Sequence, residues 1–106
     1  MVKGNRLKIT ILKKLNPDII FGKNLPAKTN IMGECTTFKI GQTFLVDEEG
    51  RFPVGFCPWA WKDIFTVMTH LRFGSDFPWM LEKGVVITCC SDGFRPVIFK
   101  IERLEN

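Results

Sequence analysis

Across residues 6–15, apolar side chains fall on Leu7, Ile9, Ile11 and Leu15 and polar ones on Arg6, Lys8, Thr10 and Lys14, the period-two pattern of a strand with one buried face. Leu7, Ile11 and Leu15 also fit a helical period. The Ile-Thr-Ile run favours the strand, because β-branched side chains pack well on a pleated surface and are restricted in a helix. Asn16, Pro17 and Asp18 then supply an N-cap, a first-turn proline and an acid at the positive end of a helix dipole, with Gly22 placed to stop the element. A short helix over 17–22 is predicted. Residues 23–37 read as loop. Alternation returns at Phe38, Ile40, Phe44 and Val46, a second strand that Gly41 bends or bulges. Asp47-Glu48-Glu49-Gly50 reads as a turn.

The strongest helix signal covers 58–73, with Cys57 as N-cap, Pro58 at the first helical position and Gly74 past the end. Cys57, Trp61, Ile64, Met68 and Leu71 draw one apolar stripe at spacings of four, three, four and three. The stripe is expected to be buried against Phe38, Ile40, Phe44, Val97, Phe99 and Ile101. Trp59, two residues from Trp61, points about 200° away around the helix. It is read as a half-exposed lid, serving as a ligand wall or a dimer contact. Two further apolar runs, 85–90 and 97–104, flank a loop containing Asp92-Gly93 and read as a hairpin. The expected fold is therefore α+β: a small, mainly antiparallel sheet packed on one main helix (about 58–73), with a short helix near 17–22, all within one domain of residues 1–106.

At 106 residues, 45% apolar and 25% charged, the chain can bury roughly two-thirds of its unfolded surface, so a core needs neither disulfides nor a structural metal. No apolar run approaches the ~20 residues of a membrane span. The start MVKGNRLK lacks the apolar centre and cleavage site of a signal peptide, and a cytoplasmic protein with no membrane partner is expected. The net charge of +4 is uneven: residues 1–28 hold seven bases and one acid, Asp18. A basic first strand is read as a solvated face or a lysine-blunted sheet edge. Nucleic-acid binding through it is the minor alternative, because no recognition motif accompanies the charge.

Four cysteines in such a chain point to metal binding, thiol chemistry or burial rather than to a disulfide framework. No C-x-x-C knuckle is present, so a metal site has to be assembled by tertiary structure. Cys35 precedes the second strand, Cys57 begins a helix and Cys90 ends a strand, positions from which one site can be built. Alternation places Cys89 with Val85 and Ile87 on the expected core face, as a small buried hydrophobe, and Cys90 with Val86 and Thr88. A cysteine at a helix N-terminus is a candidate nucleophile, redox thiol or metal ligand, and equally a plain cap. His70, thirteen residues beyond Cys57 on the same helix, lies about 20 Å along the axis, which rules out a dyad between them. Asp92 is the candidate base nearest Cys90, although Asp-Gly is also common turn chemistry. Trp59 and Arg95 are candidate ligand-binding residues.

Gly33-Glu34-Cys35, Gly41 with Phe44, Cys57-Pro58-Trp59-Ala60-Trp61, and Cys90-Ser91-Asp92-Gly93 followed by Pro96-Val97-Ile98-Phe99 together span most of the chain. This pattern resembles a small uncharacterised prokaryotic family of about this length, with C-x-x-A-W and C-x-D-G-x-x-P-V-x-F motifs. The resemblance implies that Cys35, Cys57 and Cys90 are the three motif cysteines and that Cys89 is an extra one. It supplies no activity. The expected function is a cysteine-lined site at Cys35, Cys57 and Cys90 that binds a thiolate-held metal, such as zinc or iron, or a small ligand, with thiol chemistry as an option. The alternative is a non-catalytic protein-interaction module with buried cysteines, for which a protein partner or a second copy of the chain is open.

Overall fold

A computed structural model describes residues 3–28 and 33–104. In chain order the elements are β1 (Leu7–Lys14), α1 (Pro17–Phe21), β2 (Thr43–Val46), α2 (Pro58–Arg72), β3 (Val85–Cys89) and β4 (Val97–Arg103). The strands form one antiparallel sheet in the order β2-β1-β4-β3. The basic first strand is thus central, not a blunted edge. Its Lys8 lies opposite Glu102 and pairs with it at 3.8 Å on the open face. The fold is α+β, with α2 packed across β1, β3 and β4.

Local chemistry places both helices. Asn16 Oδ1 accepts from Ile19 N at 3.1 Å and caps α1 ahead of Pro17. Pro58 opens α2, and Gly74, at φ 92°, follows its end. Ala60, Ile64, Met68 and Leu71 are the buried apolar positions of α2. Trp61, expected in the core, is half-buried. The small Ala60 occupies the deep position of the first turn instead, while the Trp61 ring lies at the margin among Phe52, Phe56 and Phe65 at 5.6–6.0 Å. The core centres on Phe38, Phe44, Phe56 and Phe99, with ring centroids 5.1–5.7 Å apart. Leu7, Ile9, Ile11, Val97 and Ile101 complete the covered face of the sheet.

Three phases differ from the sequence pattern. The ladder between β1 and β4 shifts register between Ile11 and Lys13, a bulge that leaves Leu12 unpaired and turns Lys14 to the core side, opposite the buried Val97. The second strand starts only at Thr43. Residues 39–42 form a tight turn, with Gln42 N bonded to Lys39 O at 3.0 Å and Gly41 at φ 86°. That turn leaves Ile40 59% exposed rather than in the core, while Phe38 is buried from the preceding loop. In β3 the partners decide: Val86 faces Ile101 and Thr88 faces Phe99, whereas Val85, Ile87 and Cys89 lie opposite Glu102, Lys100 and Ile98 on the open face. Cys89 is consequently exposed, not a core residue.

A buried charge ties the far end of α2 down. Arg72 is only 6% exposed; its Nη2 donates to Glu48 O at 2.6 Å, and its own carbonyl accepts from Asn5 N at 2.8 Å and Asn5 Nδ2 at 2.9 Å. Gly50, at φ 73°, passes so near the guanidinium that a β-carbon there would lie 2.6 Å from Nη1. Among the described residues, no helix is long and apolar enough to cross a membrane.

Candidate functional site

Three segments meet at the opposite end of α2. The first is the loop of residues 33–38, which carries Cys35. Lys14, redirected by the bulge, holds it: Nζ donates to Cys35 O at 3.0 Å and Phe38 O at 2.7 Å, and lies 3.8 Å from Glu34. The second is the first turn of α2, with Cys57 at the N-cap. No side-chain capping bond engages its sulfur. The third is the loop joining β3 to β4, which begins at Cys90. Cys35, Cys57 and Cys90 are each half-buried against the core, and all three line one cavity of about 470 Å³. Phe38, Trp59, Phe94, Arg95 and Val97 form much of the remaining wall.

The three thiols are not equivalent. Cys90 Sγ accepts from Val97 N at 3.3 Å and from the Asp92 amide. Burial pushes its pKa up, the amides act against this, and the charges of Asp92 and Cys35 add to the rise. Cys90 is a protonated thiol at neutral pH, built into the wall. The sulfurs of Cys35 and Cys57 make no hydrogen bond among the described residues.

Trp59 is 62% exposed, yet it is held in place. Its Nε1 donates to Ser91 Oγ at 2.6 Å, while Ser91 N donates to Asp63 Oδ2 at 2.7 Å and the Ser91 hydroxyl also bonds that carboxylate. Trp59 and Asp63 are four residues apart and share a helix face. They clasp Ser91 and so dock the loop after Cys90 onto the helix. Burial pushes the Asp63 carboxyl up, but the Ser91 amide and hydroxyl and the neighbouring Lys62 outweigh it, and its pKa lies below the ordinary carboxylate value.

Asp92 acts in the turn. Its Oδ1 accepts from Phe94 N at 2.9 Å and Arg95 N at 3.1 Å, the Asx arrangement that shapes the loop. That oxygen is engaged, which sets its role as a base candidate behind its role in the turn. Arg95, placed by this turn, makes no ion pair and no side-chain hydrogen bond among the described residues, and its Nε is buried without an acceptor.

His70 is exposed near the C-terminus of α2, against Phe77, and takes no part in the cavity. Cys89 lies on the open sheet face. Among the described residues, no three His, Cys, Asp or Glu side chains are grouped to hold a metal ion; Cys35, Cys57 and Cys90 share a cavity without forming such a group. The sequence reading missed Lys14, Asp63 and Ser91. Only the four-residue spacing of Trp59 and Asp63 signalled any of these contacts. Comparison with protein-family models, curated proteins and solved structures gave no match.

Proposed function

We propose that this chain is a small-ligand-binding protein of the cytoplasm, a member of the family its motifs resemble, and that its site is the cysteine-lined cavity, with the Cys57 thiol facing the occupant. One observation carries the reading. Three cysteines from separate segments line one cavity of about 470 Å³, a volume within the usual range for small-molecule sites. They are the three cysteines the resemblance marks as motif residues, and Cys89, the extra one, lies elsewhere. A small organic ligand fits better than a metal ion, because the three cysteines line a roomy, mostly apolar cavity and, among the described residues, form no group able to hold an ion.

Disulfide trapping with a library of small thiol-bearing fragments tests this. Cys57 is expected to capture a few fragments far more readily than the rest, because non-covalent recognition in the cavity adds to the exchange equilibrium, and Trp59→Ala is expected to abolish the preference. Cys89, on an open face, should capture fragments without preference. Indiscriminate capture at Cys57 would overturn the reading and favour the protein-interaction module.

A further inference from the structure

We infer that the occupant of this cavity is an organic anion, a planar apolar body bearing one oxyanion group such as a carboxylate, and that Arg95 holds that group. The inference rests on the proposed role of the cavity and names the chemistry of its ligand. A guanidinium stays charged at any physiological pH and presents donors in a planar fork that matches an oxyanion. Leaving such donors unpaired at a half-buried position is costly. Arg95 is in that state: it lines the cavity, its Nε is buried with no acceptor, and no carboxylate of the described residues pairs with it. The acid on the same wall, Asp92, turns Oδ1 to the Phe94 and Arg95 amides instead.

Two further features agree in sign and shape. The first turn of α2, which borders the cavity, contains no acid, so the positive end of the helix dipole is not neutralised there. Phe38, Trp59 and Phe94 give the walls flat apolar surface, and Ser91 fixes the Trp59 ring in place, as stacking on a planar ligand requires.

Two fluorescent probes with the same aromatic body separate charge from shape: 8-anilino-1-naphthalenesulfonate and its uncharged parent N-phenyl-1-naphthylamine. In a Cys89→Ser background the sulfonate should bind more tightly than the parent. Arg95→Gln should weaken the sulfonate by about tenfold or more, the scale of a charge-assisted hydrogen bond, and leave the parent unchanged. Arg95→Lys, which keeps the charge but not the fork, should fall between. N-phenylmaleimide on the cavity thiols should displace both probes. Equal binding of the two probes, insensitive to Arg95→Gln yet blocked by the maleimide, would overturn the anion inference and leave the cavity reading standing. Binding that the maleimide does not block would place the probes elsewhere and remove both.

Discussion

The ammonium of Lys14 lies 3.0 Å from the carbonyl oxygen of Cys35, and this contact exists because a one-residue bulge in β1 reverses the strand's phase. The same nitrogen holds Phe38 O, so one side chain fastens both ends of the segment that carries a cavity cysteine to the central strand. With only 13% of its side chain exposed, Lys14 bonds in a shielded setting. Lys14→Met should lower stability by about 2 kcal/mol, in line with hydrogen bonds to a charged donor, and should raise the alkylation rate of Cys35. Urea unfolding and site-mapped mass spectrometry measure the two effects, and an unchanged Cys35 rate would show that the loop is held by something else.

The clasp of Asp63 on Ser91 has a pH signature. Because the folded-state pKa of Asp63 is depressed, its contribution is present above the unfolded carboxylate value and is lost as pH falls through the lower folded value. Asp63→Ala should cost about 1–2 kcal/mol at neutral pH and shrink the difference from wild type toward strong acid. Trp59 fluorescence should shift toward that of a solvated indole. A constant gap between the two stability curves down to acid would contradict the assignment.

Cys90 should titrate on the alkaline side. Its raised folded-state pKa means that the stabilisation is complete below the unfolded thiol value and is lost as pH rises through the folded one. Alkylation of Cys90 by iodoacetamide should therefore begin at higher pH in the folded protein than in the urea-unfolded chain. Rates mapped residue by residue across pH would decide, and equal profiles would refute it.

At the other end of α2, Gly50→Ala combines a positive φ of 73° with a β-carbon 2.6 Å from Arg72 Nη1. A loss of about 2–3 kcal/mol is expected, in part from backbone strain and in part from the displaced guanidinium. In an Arg72→Met background the same change should cost only the strain, about 1 kcal/mol. A double-mutant cycle by urea unfolding measures the difference, and strict additivity would mean that the glycine serves the turn alone.

Element positions were legible in the chain because their signals are local. Asn16 with Pro17, Cys57 with Pro58, and Gly22 and Gly74 punctuate the helices by their own backbone chemistry, and Leu7, Ile9 and Ile11 declare a buried strand face. What failed depended on partners far away in sequence. The phase of β3 is ambiguous because Val85 and Val86 are both apolar and both buried, so only the register with β4 sends Cys89 outward. Lys14 reads as a surface residue until the ladder with β4 reveals the bulge. Ile40 alternates correctly with Phe38 and Phe44, yet the turn at Gly41 takes it out of the sheet. For the site, the placement of Cys57 and Cys90 at element ends could be argued from the sequence, whereas Cys35, expected just ahead of a strand, sits in a loop well before Thr43. How far apart they stand around a shared cavity is a tertiary quantity with no local signal.

The strand order has a consequence for how the protein is made. The pair at the centre of the sheet joins Leu7 to Arg103, so β1 finds one of its two neighbours only after all the sequence between them has been synthesised. Until then the short β2 is the one strand paired with β1, and α2 has no finished sheet face to cover. Folding should accordingly be a late, concerted and comparatively slow event, as expected of long-range pairing. The cavity, framed by α2 and the loop leading into β4, comes into being only in that last step.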